Sequence, residues 1–195
     1  MRKKIIIKSA KPSDKDRVIT TLVLAFSADP VTRWVWPDPL LYYRYFSEFI
    51  DLYAGKAFRK GTAYYLENFL GSTLWLPPGV KPGENKVIAL LMRSVSKRKQ
   101  KDVFSVFEQS DKFHPKDPHW YLPFLGVDPF HQGKGFGTAL LKYALARLDR
   151  EKKIAYLESS NPKNLSFYNR NGFDVLGTIQ VGSSPPLVPM IRRPK

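Results

Sequence analysis

Residues 125–138 read Leu-Gly-Val-Asp-Pro-Phe-His-Gln-Gly-Lys-Gly-Phe-Gly-Thr, an apolar strand end, a glycine-rich turn and the opening of a helix. Glycines let backbone N–H groups approach an anion with no Cβ in the way. The first turn of a helix leaves its donors unpaired at the positive end of the helix dipole. Gln132, Gly133, Gly135 and Gly137 therefore predict a cradle for a pyrophosphate. Behind it, Ala139, Leu140, Leu141, Tyr143, Ala144, Leu145 and Leu148 are spaced as the apolar face of a helix.

Two other phosphate motifs do not fit. A P-loop needs Ser or Thr directly after Gly-Lys, and here Gly135 follows Lys134, so no hydroxyl is placed for magnesium. A dinucleotide fingerprint needs its third glycine later than Gly137 and an acidic residue for a ribose, whereas Glu158 sits inside the next apolar strand. What remains is Gln-x-x-Gly-x-Gly after a strand.

That pattern resembles the acetyl-CoA-dependent N-acetyltransferases of the GNAT superfamily. A second stretch, Asn161-Pro-Lys-Asn164-Leu-Ser-Phe167-Tyr168-Asn-Arg-Asn-Gly172-Phe173, is similar to the segment that in this family sets a tyrosine beside the thioester sulfur. The likeness extends to the puromycin N-acetyltransferase-like group through residues 25–33 (Ala-Phe-Ser-Ala-Asp-Pro-Val-Thr-Arg), 114–120 (His-Pro-Lys-Asp-Pro-His-Trp) and 157–168. It implies an α/β fold with a mixed central sheet, splayed at the cofactor-binding strand and flanked by helices on both faces. It further implies acetyl-CoA as cofactor, with the backbones of Leu125, Gly126 and Val127 on its pantetheine arm. Gln132, Gly133, Lys134, Gly135, Phe136, Gly137 and Thr138 would hold its pyrophosphate, and Asn164, Phe167 and Tyr168 would lie against it. For Lys134 a solvent-facing role is the alternative, and for Asn164 a helix cap.

Tyr168 is the expected acid for the departing thiolate, since a phenol is neutral at pH 7 and can donate without first being charged. The alternative for it is packing against Phe173. Glu158 ends the strand Ile154-Ala-Tyr-Leu-Glu on the face of Ile154 and Tyr156. Three roles stay open for it: a general base with a raised pKa, a counter-charge for the amine, or a partner for an arginine. His114, His119 and His131 lack metal spacing and read as loop or cap residues; no metal is expected. Similar enzymes build the acceptor pocket from the N-terminal helices and a C-terminal hairpin. The candidates are thus Arg33, Trp34, Trp36, Tyr42, Tyr43, Tyr45 and Trp120, with the loop Gly182 to Pro186, a set suited to a hydrophobic or aromatic amine.

The chain of 195 residues, 43% hydrophobic, suits one α/β domain over residues 1–195. It has no cysteine, which excludes disulfides, thiolate zinc sites and a cysteinyl acyl-enzyme. Transfer would then run directly from thioester to amine or through an oxygen nucleophile. The opening Met-Arg-Lys-Lys-Ile-Ile-Ile-Lys has too short an apolar run for a signal peptide, and no stretch is long enough to span a bilayer, so a cytoplasmic protein without membrane partners is expected. The net charge of +15 is clustered at residues 2–8, 93–101 and 192–195. With no aromatics interleaved in the middle cluster, solvated helix ends and termini are preferred to a nucleic-acid surface. Homodimerisation is left open.

Local patterns predict a first strand at about 4–8 and a helix at about 14–27 capped by Ser13, followed by a helix at about 40–56. A hairpin at about 62–76 should take its positive φ from Gly71, with helices at about 84–95 and 102–112 beyond it. A central strand should span His119 to Val127, broken or bulged at Pro123. The function expected is direct acetylation of a small primary amine. A peptide or protein amine, and a CoA-binding regulator without catalysis, are the other two readings.

Overall fold

The computed structural model describes residues 5–195. Its strands are β1 (Ile7–Ser9), β2 (Ala63–Leu66), β3 (Gly71–Leu76), β4 (His119–Val127), β5 (Ile154–Ser159), β6 (Asp174–Val175) and β7 (Val188–Arg192). Its α-helices are α1 (Lys15–Ala25), α2 (Pro30–Val35), α3 (Pro39–Ala54), α4 (Lys56–Lys60), α5 (Glu84–Ser94), α6 (Lys97–Phe113), α7 (Phe136–Arg150) and α8 (Leu165–Arg170). One seven-stranded sheet runs in the order β1-β2-β3-β4-β5-β7-β6. Among the described residues only the β4–β5 pair is parallel.

Apolar side chains cover both faces. On one, α1, α3, α4, α5 and α6 bury Leu22, Phe46, Ile50, Ala57, Leu91 and Val103 against Leu74, Tyr121, Phe124 and Tyr156 of the strands. On the other, Leu140, Leu141, Ala144, Leu145 and Leu148 of α7 pack with Trp75, Trp120, Leu122 and Leu157. Two faces of buried apolar surface, each closed by helices, are the usual solution for a mixed sheet of this size.

Pro123 changes the course of β4. Between Leu74↔Phe124 and Leu76↔Tyr121 the β3–β4 register slips by one residue, leaving an extra residue on β4. A bulge of this kind reverses the alternation beyond it. Trp120 and Leu122 face α7 and Tyr121 the opposite layer, but after the bulge it is Phe124 that joins Tyr121's layer and Leu125 that turns toward α7. Pairing of β4 with β5 stops at Tyr121↔Tyr156, after which β5 bonds only to β7. The two central strands therefore part, as Pro123 predicted.

Several local expectations are corrected. Ser13 caps nothing: it lies inside a short 3-10 turn, Pro12–Asp14, that precedes α1. In the β2–β3 turn the left-handed residues are Asn68 (φ 63°) and Phe69 (φ 58°), with Phe69 stacked on Tyr65, whereas a Cβ on Gly71 would lie 3.0 Å from the Gly126 carbonyl oxygen. That glycine serves close strand packing instead. The first strand begins at Ile7, and residues 2–4 of the basic N-terminal cluster lie outside the described residues. Helix α2 was not anticipated; Asp29 caps it by accepting from the Thr32 N–H.

The end of the chain is fastened to α7 by Arg192 of β7. Its two terminal nitrogens donate to the two carboxylate oxygens of Asp149 at 2.8 and 2.9 Å. The hydrogen bonds from Arg192 hold the Asp149 carboxyl below its ordinary value. Its contribution to stability is thus complete above the ordinary carboxylate range and lost as the pH falls through the lower folded value. Asp149→Asn should cost about 1.5 to 3 kcal/mol near neutral pH. Urea melts of both proteins should show the difference narrowing as the pH drops below about 4; a difference that held constant into acid would contradict the pairing.

Candidate active site

The opening between β4 and β5 exposes backbone donors. Asp128 N donates to Leu70 O on the β3 side, and by alternation Gly126 and Phe124 also face β3. The N–H groups of Leu125 and Val127 therefore point into the gap. Gln132 Nε2 closes over its rim by donating to Val127 O at 3.1 Å. Gly126 does not belong with the donors. A Cβ there would come within 2.6 Å of Ala25 Cβ, so this glycine lets α1 lie close on β4.

Beyond the gap the chain turns into α7. Gly133 (φ 73°) and Gly135 (φ 82°) are left-handed, and nothing lies within 4 Å of where their Cβ atoms would be. Gly135 is the N-cap, no side chain caps the helix, and the first helical bond is Ala139 N to Gly135 O. The amides of Phe136, Gly137 and Thr138 thus form an uncapped helix start beside an open surface. Gly137 packs against the Phe167 ring and Val127, which joins turn, gap and α8 into one wall. These features fit a phosphate-bearing ligand whose extended arm pairs with β4. Lys134 Nζ donates to Phe130 O at 3.2 Å and stays exposed. Asn161 caps the turn before α8 by accepting from Lys163 N, so Asn164 has no capping bond and its exposed side chain is uncommitted.

Tyr168 is buried on α8, its ring against Phe167 and Phe173. Burial, with a smaller effect from the nearby Asp29 carboxylate, pushes its phenol well above the usual value, so it stays protonated at neutral pH. Its packing against Phe173 and a role as proton donor are compatible.

Across the sheet lies a cavity of about 130 Å³. Its walls include Phe26, Trp34, Phe49, Tyr53, Phe107 and Phe124, and among the described residues the one acidic side chain reaching it is Glu158. Glu158 Oε1 accepts from Ser110 Oγ at 2.6 Å and lies 3.4 Å from His114 Nε2. Burial, the largest single influence, raises its pKa. The hydrogen bond and charge of His114, with hydrogen bonds from Ser110 and Tyr121, outweigh it and hold the carboxyl below its ordinary value. The raised pKa expected for a general base is therefore not found, and the basic side chain beside Glu158 is a histidine and not an arginine. His114 is the C-cap residue of α6, in keeping with its reading as a loop or cap residue, and it also lies between Glu158 and His119, with His114 Nδ1 and His119 Nε2 at 3.2 Å. The only signal for this in the sequence is the His-Pro-Lys-Asp-Pro-His spacing of residues 114–119.

The acceptor candidates divide. Trp34 lines the cavity, its Nε1 donating to Ser183 Oγ at 3.2 Å from the C-terminal hairpin, and Lys99 of the basic run holds its carbonyl at 2.7 Å. Trp36 lines it as well. Arg33 and Tyr42 do not: Arg33 donates to Pro37 O and stacks on Tyr42, whose hydroxyl is spent on Val23 O at 2.6 Å. Tyr43 is exposed, at 75%. Trp120 is on the wrong side of the sheet, buried against α7 beneath the Arg147 guanidinium, because it precedes the bulge that reverses the alternation. Asp29 was overlooked: besides capping α2 it accepts from Ser160 Oγ at 2.6 Å, tying that helix to the end of β5 at the cavity's edge. A second cavity, of about 800 Å³, lies beyond Tyr53 and Tyr121, whose hydroxyls are 3.1 Å apart, and is lined by His114 and His119.

A family model described as "Acetyltransferase (GNAT) family" matches residues 36–173. The chain belongs to the GNAT acetyltransferase family. Among curated proteins, an uncharacterised N-acetyltransferase of Schizosaccharomyces pombe is 26% identical over 96% of this chain and 83% of its own length. A solved structure of histone acetyltransferase HPA2 and related acetyltransferase from Corynebacterium glutamicum is 25% identical, with a TM-score of 0.70 over 99% of this chain and 98% of that one. Arylalkylamine N-acetyltransferase 2 from Aedes aegypti shares the fold, with a TM-score of 0.68 at 14% identity, covering 99% of this chain and all, 100%, of that one. Like other GNAT enzymes, the chain is an N-acetyltransferase, and acetyl-CoA is the cofactor of its family.

Asp29→Ala removes a helix cap and a buried hydrogen bond together, and should lower stability by about 1 to 2 kcal/mol. Ser160→Ala, which removes only the second contact, should cost less. A urea midpoint for Asp29→Ala equal to wild type would show that α2 is held by packing alone.

Proposed function

We propose that this enzyme acetylates a small primary amine with an aromatic or apolar body, by direct transfer within a ternary complex. The observation that carries this is a cavity rich in aromatic side chains with a single ionised carboxylate, Glu158, on its wall. A cavity near 130 Å³ is on the scale of one that accommodates a benzene ring, ~150 Å³. An alkylammonium head would pair with Glu158 while its body displaces water from the rings.

Acetyl-CoA, when bound, supplies the activated acetyl thioester. Leu125 and Val127 would donate N–H groups to the arm in the gap. Gly133, Lys134, Gly135, Phe136, Gly137 and Thr138, with Gln132 on the rim, would receive the pyrophosphate. Donors fixed before the reaction lower a barrier only where charge develops. Tyr168, kept protonated by burial, would give its hydroxyl proton to the departing thiolate. Glu158, a weak base toward an ammonium while held below its ordinary pKa, acts first as the contact that selects and orients the amine.

A peptide or protein amine is the second reading, suggested by the histone acetyltransferase named in the Corynebacterium glutamicum structure. The aromatic walls of the acceptor cavity favour the small amine. Thiol release from acetyl-CoA with a panel of arylalkylamines, alkylamines, polyamines and peptide N-termini decides between them. The best rates should fall on primary arylalkyl or short alkyl monoamines; turnover with peptides alone would overturn the proposal, and acetyl-CoA binding with no turnover on any amine would favour a regulator.

Tyr168→Phe keeps the ring packing and deletes the donor. It should bind acetyl-CoA about as wild type does and lose about 10² to 10⁴ in kcat. A rate within about twofold of wild type, with chemistry limiting, would assign the proton to another donor.

A further inference from the structure

Helix α2 supplies Val31, Thr32, Trp34 and Val35 to the wall of the acceptor cavity, yet none of its residues is fully buried. A helix with so little buried surface depends on contacts at its ends and edges. Asp29 holds its first turn. In a last turn the carbonyls lose their intrahelical donors, and three positions after Trp34 stands Pro37, which has no N–H to offer. Lys99 of α6 supplies the donor instead. Its Nζ lies 2.7 Å from Trp34 O and 5.4 Å from the centre of the Trp34 ring.

The basic run of residues 93–101 thereby divides. Arg93, Lys97, Arg98 and Lys101 are exposed, whereas Lys99 is half-buried. Helical spacing puts Lys99, Val103, Val106 and Ser110 on one stripe of α6, and the last three line the cavity. The other edge of the indole is held by the C-terminal hairpin, where Trp34 Nε1 donates to Ser183 Oγ at 3.2 Å. That loop is itself seated on α6. At Gly182 (φ 54°) a Cβ would come within 2.6 Å of Asp102 Oδ2, and Ser184 Oγ accepts from Val181 N at 2.9 Å. Trp34 is thus clamped by α6 twice, directly and through the loop.

We propose that Trp34 sets the upper size of the acceptor, and that Lys99 is the positioning residue that holds it in place. The proposal rests on reading the aromatic cavity as the acceptor site. With the indole fixed, a cavity of about 130 Å³ has room for one ring. Trp36, Phe46 and Phe124 line it from the buried core and cannot retreat. Phe49 and Phe107 sit on α3 and α6, helices that bury residues of their own. Trp34 sits on a helix that buries none, so it is the wall that yields when its clamp is loosened.

Thiol release with benzylamine and with 1-naphthylmethylamine, which share the aminomethyl head and differ in girth, reads the limit in the full chain. Trp34→Ala should raise the ratio of kcat/KM for the bicyclic amine to that for the monocyclic one by about 10-fold or more, chiefly through KM. Lys99→Met, which keeps an apolar stem and drops the charge, should raise the same ratio by less. Lys99→Arg still donates to a carbonyl and stacks on an indole, and should keep the wild-type ratio. Equal losses on both amines in Trp34→Ala, or a wild-type ratio in Lys99→Met, overturn the proposal. Hydrogen exchange at the Trp34 indole N–H, followed by NMR and identified by the signal lost in Trp34→Phe, needs no acceptor. Lys99→Met and Ser183→Ala should both quicken it and leave the Trp75 and Trp120 indoles across the sheet unchanged. Unchanged exchange at Trp34 in both variants overturns the clamp. Should wild type acetylate no amine, the functional reading fails while the indole exchange still decides the clamp.

Discussion

Everything at the site follows from the parting of β4 from β5 beyond Tyr121. Proline cannot donate to a ladder, and Pro123 sits where β4 has its extra residue against β3. That residue reverses which side chains face which layer, and the lost β5 pairing leaves the Leu125 and Val127 amides without a strand partner. Those donors face an open gap on half-buried residues, so an extended ligand carrying amides of its own can pair with them as a strand would. The open glycine turn and the uncapped start of α7 continue the same path.

The opposite side of the gap is organised around one charge. A carboxylate inside an aromatic cavity would ordinarily pick up a proton, since burial disfavours its ionised form. Ser110, His114 and Tyr121 reverse that balance at Glu158. The consequence is a cavity whose walls select an apolar body while one point on them selects a cation. The same contacts connect the carboxylate to the two histidines and to the larger cavity behind them.

Local features of this kind were legible in the sequence to the extent that they depend on backbone chemistry. The central strand matches His119–Val127 end for end, Pro123 announced its bulge, and the glycines at 133 and 135 hold the left-handed conformations their turn needs. Glu158 was placed on the face of Tyr156 by simple alternation. Side-chain partnerships between distant segments were not legible. Ser110 meets Glu158 across 48 positions and Ser160 meets Asp29 across 131, and no periodicity encodes such separations. Trp120 shows the same limit: its identity suited a pocket, yet the reversal of alternation that puts it under α7 depends on where along β4 the bulge falls.

The central claim is that the β4 edge facing β5 is the binding surface for the cofactor arm. Amide hydrogen exchange, resolved residue by residue with and without saturating acetyl-CoA, tests it directly. The account predicts marked slowing at Leu125 and Val127 on binding, with little change at Gly126, whose N–H already faces β3. Binding of acetyl-CoA that left Leu125 and Val127 exchanging as before would contradict it.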